Sequence, residues 1–334
     1  MNSHGVNIQR VAEAAGVSKT TVSHVLSGNR PVAPKTRARV ERVISDLGFR
    51  PNFFARALNT KKSNAIALVV QDITNPFYPA LARGLQTHLS AADQVVMLFD
   101  AGGDRRLVDM FARDAIARHV DGVVVAVSDM DDQIIELQNA GISVVAVGSG
   151  VSELSIDWVS GDDERIGSDA VRHLSLMGRS SIGCISGPSS TAPADQRLAG
   201  YKKALAELGV QQRPDLVAFG DWTRDGGFRA MSHLLDTART PPDAVFCAND
   251  LMAIGSIDAL SARRLDVPAD IAIIGVDDIE AARLVRPSLS TIRIPAVDIG
   301  QAAGELLLRR IDDGDRTPSR HVVVQHQLVS RESA

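Results

Sequence analysis

The stretch Ser18-Lys19-Thr20-Thr21-Val22-Ser23-His24 is a run rich in hydrogen-bonding side chains with no acid among them. On a helix, Val22, Val25 and Leu26 form an apolar stripe, which leaves Lys19, Thr20, Ser23 and His24 on the other face. Such a face suits nucleic acid, because a helix-turn-helix lays its second helix in the major groove and reads base edges from that helix's first turns. A second constellation lies far along the chain. Trp222, Asn249 and Asp277 each follow a short apolar run. A flat aromatic face can stack on the C–H face of a hydroxylated small molecule while amide and carboxylate groups bond its hydroxyls. Catalytic patterns are absent from the sequence. There is no P-loop, no G-x-G-x-x-G after a strand (Gly148-Ser149-Gly150 lacks the third glycine) and no G-x-S-x-G elbow. His321 and His326 are five apart on what reads as one strand, hence on opposite faces. The carboxylates of Asp162-Asp163 and Asp277-Asp278 are sequence neighbours that should diverge.

The elements that must hold the first constellation are legible. Asn7 can cap a helix on which Val11, Ala12 and Ala15 share one face; Gly16 can end it in the left-handed conformation, and Ser18 can cap the next. A third helix is expected over about 34–47, with Val40, Val43, Ile44 and Leu47 as its stripe. Ala33 offers no cap there, but Pro34 presets the first turn. Residues 1–62 hold eleven Lys and Arg against three acids, a net of +8, whereas the remainder holds 25 against 37, a net of −12. A basic head on an acidic body is the asymmetry expected when one end meets phosphates.

Residues 51–63, PNFFARALNTKKS, contain enough for one or two helical turns but too few to persist alone in water. From 64 onward short apolar runs (65–70, 95–99, 122–127, 142–147) alternate with helical segments (about 78–91, 107–118, 131–140). The alternation resumes with runs at 181–186, 216–219, 244–248 and 271–276 and helices near 164–177, 195–208, 225–236 and 251–262. This predicts two tandem α/β sets with parallel sheets covered on both faces. A last helix over 299–312 and a final strand over 321–329 follow. In such sheets ligands bind beyond the carboxyl ends of the strands, where Trp222, Asn249 and Asp277 fall.

The composition, 45% apolar and 23% charged over 334 residues, is that of a globular protein with room for two or three cores. No run is long enough to span a membrane, and MNSHGVNIQR lacks the apolar core of a signal peptide, so a cytoplasmic location is expected. Cys184 and Cys247 sit in strand-like runs and are expected as buried, reduced thiols. No cofactor or metal is called for.

Val11-Ala12-Glu13-Ala14-Ala15-Gly16-Val17-Ser18-Lys19-Thr20-Thr21-Val22-Ser23 resembles the signature of the lac-repressor (LacI/GalR) family, and the likeness continues through Lys35-Thr36-Arg37 and Gly48-Phe49-Arg50-Pro51-Asn52 across almost the whole chain. Arg10 departs from the Asp usual there, and Ala33 from a capping Ser. The resemblance implies an α/β protein in three parts. These are a helix-turn-helix DNA-binding domain over 1–50, a hinge helix over 51–63, and a two-lobe, periplasmic-binding-protein-like core over 64–334. It places lobe 1 at about 64–161 and 293–323 and lobe 2 at about 162–292 and 324–331. It implies DNA contacts from Ser18, Lys19, Thr20, Ser23, His24, Arg30, Thr36 and Asn52, with Leu58 wedged into a central base step. It also implies effector contacts from Phe77, Tyr78, Thr191, Arg197, Trp222, Asn249 and Asp277. Ala126, Gly148 and Ile294 stand where the sugar-responsive pattern has Asn, Asp and Gln, so lobe 1 should offer fewer polar anchors.

The expected function is that of a regulator, not an enzyme. It is a homodimer on a near-palindromic operator, with affinity set by a small effector, a sugar being the leading candidate. No heptad helix follows 321–329, which argues against the tetramer the family can form. Two other readings stay open, a solute-binding protein and a regulator controlled by a protein partner.

Overall fold

A computed structural model describes residues 7–27, 30–49, 63–148, 154–189, 191–313 and 318–334. The chain divides into two compact units, Met1–Asn64 and Ala65–Ala334. The expected hinge helix, with Asn52 and Leu58, lies outside the described residues.

Among the described residues the first unit holds three helices, α1 (Ile8–Ala15), α2 (Lys19–Ser27) and α3 (Pro34–Leu47). The Asn7 side chain accepts from the Arg10 amide at 3.0 Å, and Gly16, at φ 61°, closes α1. Ser18 Oγ accepts from the Thr21 amide at 3.0 Å at the head of α2. Ala33 makes no side-chain cap and Pro34 opens α3. Val11, Ala12, Ala15, Val22, Val25, Val40 and Phe49 form the core, drawn from all three helices and from the second residue past α3.

The second unit is α/β, with two six-stranded sheets. The first lobe runs β1 (Ala65–Val70), α4 (Phe77–Ser90), β2 (Val95–Asp100), α5 (Arg105–Ala117), β3 (Gly122–Ala126), α6 (Asp131–Asn139), β4 (Ser143–Val147) and β5 (Asp157–Ser160). The second runs α7 (Asp163–Leu176), β6 (Ile182–Ser186), α8 (Ala192–Glu207), β7 (Val217–Phe219), α9 (Arg224–Thr237), β8 (Ala244–Cys247), α10 (Asp250–Ala262), β9 (Ala272–Val276), α11 (Glu280–Leu284) and β10 (Ser290–Arg293). The chain then returns through α12 (Ala296–Asp313) and β11 (His321–Val323) to the first sheet, and ends in the second as β12 (Gln327–Val329). Strand orders are β11-β5-β4-β3-β1-β2 and β12-β10-β9-β8-β6-β7. All pairs are parallel except β10 with β12. The chain thus passes between sheets at 160–163, 293–296 and 323–327.

The inner strands β1, β3, β6, β8 and β9 are buried at every residue, which is why their sequences are continuous apolar runs. β2 departs from that rule. It is an edge strand, and Val95 and Leu98 are exposed. One apolar cluster runs through both lobes, from Ile66 and Leu81 to Ile166 and Ile274. Two others fill the outer faces of the lobes.

The expected strand over 321–329 is two strands in different sheets. Val324 donates to Ser160 O at the crossing, and His326 bonds Asp169 at 3.0 Å. The two histidines therefore do not share a strand; His321 instead stacks on Trp158, with ring centroids 3.5 Å apart. β5 and β10 escape a periodicity reading because they are four residues long and bury polar groups. Asp157 is paired with Arg310 at 2.7 Å, and Ser290 and Thr291 are fully buried. Cys184 and Cys247 are buried free thiols. They belong to different apolar clusters on opposite faces of one sheet. Among the described residues no helix is long and apolar enough to cross a membrane, and no group of three or more His, Cys, Asp or Glu could hold a metal ion.

Candidate functional site

On the three-helix unit, α2 starts at an exposed corner. Lys19 and Thr20 are exposed, while Ser23, His24 and Thr36 are half-buried and Arg30 is exposed beyond α2. Ser18 Oγ is engaged with the backbone and hydroxyl of Thr21, so its first task is to start the helix. Lys19 and Thr20 follow directly, in the turn where a recognition helix carries its base-reading side chains. The face holds no carboxylate that would repel phosphate.

In the α/β unit a crevice of about 770 Å³ opens at the carboxyl ends of the strands of both sheets. Phe77, Tyr78, Thr191, Arg197, Trp222, Asn249 and Asp277 all line it, as do Ala126, Gly148 and Ile294. Seven aspartates and one cationic side chain, Arg197, are among the described lining residues.

The seven are built in differently. Trp222 has φ +69°, unusual for a non-glycine residue. Its carbonyl accepts from Asn249 Nδ2 at 2.9 Å, and the Asn249 Oδ1 accepts from the Met252 amide at 2.9 Å to cap α10. Asn249 is almost wholly buried, so one side chain fixes both the indole's loop and a helix start. The indole lies on Gly187, where a Cβ would fall 2.2 Å from a ring carbon. Asp221, one residue before, accepts from the Thr223 amide at 3.1 Å and from Arg229 at 2.6 Å.

Arg197 is an ion pair, but a buried one. Its Nε donates to Asp163 Oδ1 at 2.7 Å and its Nη1 to Ala248 O at 2.6 Å, and its guanidinium carbon is 5.9 Å from the Trp222 ring centroid. Burial alone would lower its pKa, but Asp163 and Asp277 outweigh this and hold it charged. α7 and α8, which carry the pair, approach closely because Gly167 and Gly200 lack Cβ atoms; those would lie 2.1 and 1.8 Å from backbone oxygens across the contact.

Asp277 is half-buried at φ 116°, with its amide donating to Ile292 O. Burial pushes its carboxyl up to about 7; Arg197 opposes this and Asp163 adds to it. Beneath it Asp250 is fully buried and also raised, by burial and by Asp277. Asp250 accepts from Thr291 Oγ1 at 2.6 Å and from the Ile279 amide at 2.9 Å, which ties down the loop after β9. Asp278 turns away to Arg293 and Arg331. Burial and the charge of Asp277 keep the Tyr78 phenol protonated, so it can donate. Thr191 Oγ1 donates to Pro188 O at 2.8 Å.

Asp163, Asp250 and Gly187 were not singled out from the sequence as site residues. Asp163 is one of two adjacent aspartates that look alike there. In the structure Asp162 caps α7 and Asp163 pairs with Arg197. Only the tertiary approach of α7 and α8 separates them.

Residues 7–52 match the family described as bacterial regulatory proteins, lacI family, and residues 171–334 match the periplasmic binding protein-like domain. The transcriptional regulator CelR of Thermobifida fusca is 35% identical over 337 residues, covering 98% of this chain and 97% of its own. A solved CelR–cellobiose complex aligns at 32% identity with a TM-score of 0.76, over 99% of this chain and 100% of that one. The lac repressor dimer bound to operator and the anti-inducer ONPF aligns at 28% identity with a TM-score of 0.86, over 98% of both.

Proposed function

The chain belongs to the LacI family of bacterial transcriptional regulators, and from that premise we propose that it is an operator-binding repressor acting as a homodimer in the cytoplasm, released by a small polyhydroxylated ligand in the crevice. The observation that carries the ligand half is the convergence of Trp222 and Asp277, at strand ends, with Arg197 of α8 in one crevice. An aromatic platform flanked by a charged donor and a carboxyl group suits a sugar-like molecule. The solved relative CelR holds cellobiose. A pocket of this size and lining favours a small ligand over control by a protein partner alone.

In the DNA half, Lys19, Thr20 and His24 read base edges, Arg30 contributes more weakly, and Ser23 and Thr36 hold phosphates. The hinge assigned to 51–63 is read as bringing Asn52 and Leu58 to the DNA. The ligand acts only through its differential affinity for two arrangements of the lobes, and by linkage DNA changes ligand affinity by the same factor.

The test is operator selection from random DNA, followed by titration of the selected operator with and without sugars. Lys19 and Thr20 variants should shift the selected consensus, and Thr36→Ala should weaken all sequences alike. An unchanged consensus refutes the recognition assignment. Failure of every sugar and polyol both to raise the melting temperature and to change operator affinity refutes the ligand assignment.

A further inference from the structure

Of the seven aspartates among the described lining residues, six have their charge answered or solvated. Asp72 Oδ1 accepts from the Thr74 amide at 2.8 Å and its hydroxyl at 2.7 Å. Asp163 pairs with Arg197 at 2.7 Å and Asp221 with Arg229 at 2.6 Å. Asp129, Asp131 and Asp195 are exposed at the rim, where water solvates and salt screens them. The seventh, Asp277, is half-buried, and no hydrogen bond or ion pair joins its carboxyl to another described residue.

The groups around Asp277 do not balance it. Arg197 of α8 gives its Nε to Asp163 and its Nη1 to Ala248 O. Asp163 of α7 is a like charge. Asp250, at the head of α10, is fully buried and accepts from Thr291 Oγ1 and the Ile279 amide; Asp277 helps raise its carboxyl, so the two do not ionise together. Asp278 holds Arg283, Arg293 and Arg331 on its own carboxyl. From the first lobe Tyr78, which stays protonated, and Gln71 bring no charge. Three buried or half-buried carboxyls thus share one guanidinium. While the crevice is open, water solvates the uncovered part of Asp277. A sugar ring on Trp222 displaces that water and brings no countercharge. Its hydroxyls both donate and accept, so either form of the carboxyl can be bonded. The cost of burying the ion then decides, and it favours the neutral acid. Asp277 stands at about 7 before any ligand covers it, so little further burial is needed to hold a proton there.

We propose that an uncharged polyol binds this crevice together with a proton, taken from the solvent and held by Asp277 in the complex, so that ligand affinity falls as pH rises. This rests on reading the crevice as a polyol site. By linkage, acid then strengthens whatever effect a subsaturating ligand has on operator affinity. The experiment is titration calorimetry of the full chain with glucose, galactose, ribose, cellobiose and sorbitol at about pH 6 and about pH 8.5, on either side of the Asp277 value, in two buffers of unlike ionisation heat at each pH. A proton taken up appears as a heat of binding that depends on the buffer. For a compound that binds, uptake should be near zero at the lower pH and approach about one proton per chain at the higher, with the Kd at least about tenfold weaker there. Asp277→Asn should abolish the uptake and the pH dependence, whereas Asp195→Asn, at the exposed rim, should keep both. If Asp277→Asn folds but binds nothing, NMR of carboxyl-labelled aspartate in the wild type, free and saturated, reads the same proton directly: an Asp277 carboxyl that ionises at the same or a lower pH in the complex overturns the proposal. Binding heat that does not depend on the buffer, release of a proton, or uptake that survives Asp277→Asn overturns this inference and leaves the polyol site standing. Binding of none of the compounds overturns both readings together.

Discussion

Arg197→Ala separates two roles that the sequence merges. As a ligand contact alone, Arg197 would be removable at no cost to the fold. The structure places its guanidinium 2.7 Å from Asp163, with the two side chains 9% and 5% exposed, and gives it the carbonyl of Ala248 as well. Removing the arginine takes the cation from a buried carboxylate, and breaking such a pair costs about 3–5 kcal/mol. At roughly 2 °C or more per kcal/mol for a body of this size, the melting temperature should fall by at least about 6 °C. Asp163→Ala should cost a comparable amount for the mirror-image reason. The double variant Asp163→Leu/Arg197→Met should recover most of the loss, since a buried ion pair is worth little against well-packed apolar groups. It should not recover ligand binding. Urea denaturation of wild type, both single alanine variants and Asp163→Ala/Arg197→Ala gives the coupling energy directly. If Arg197→Ala melts within about 2 °C of wild type, or the cycle shows no coupling, the buried-pair reasoning is wrong.

Three further outcomes are expected. Gly187→Ala places a Cβ where the Trp222 ring now lies, so the platform must move by more than an ångström; ligand affinity should drop by about tenfold or more, with the melting temperature nearly unchanged, and an unaltered Kd would show that the indole does not bear the ligand. Asp277 has a native pKa near 7, above its unfolded value of about 3.9. Its contribution to stability is therefore full below the lower value and lost as pH rises through the upper one; Asp277→Asn should flatten the decline in stability between about pH 4 and 7, with the raised Asp250 leaving a residual slope, and an unchanged slope refutes the assignment. Asn7→Ala removes the cap on α1 and should destabilise the helical unit by about 1 kcal/mol, read by amide exchange in that unit; protection equal to wild type would refute the cap.

The fold class was legible because burial on both faces of a parallel sheet leaves a plain record. Runs such as Ala65–Val70 admit few other readings. What escaped detection was short or polar. β5 and β10 have four residues each and hide Asp157, Ser290 and Thr291 behind tertiary partners. The run 321–329 looks uniform, yet it serves two sheets, because pattern along a strand says nothing about which sheet receives it. In the site, strand-end position was enough to flag Trp222, Asn249 and Asp277. It could not show that Asn249 spends its amide on the Trp222 carbonyl and a helix start, nor that Asp163 rather than Asp162 meets Arg197, since both depend on elements distant in sequence.

The three passages between sheets also bear on synthesis. The first sheet receives its edge strand β11, and the second its edge strand β12, only from residues 321–329. The helix α12, which packs on the first lobe, is made after all of the second except β12. On the ribosome the three-helix unit has all its core residues early, but neither lobe can finish before the other is nearly made. Domains that are contiguous in sequence fold as they emerge. Here the two lobes must wait and finish together. Translation that stalls shortly before residue 321 leaves β5 and β10 as uncovered edges of their sheets, the surface most prone to pair with another chain.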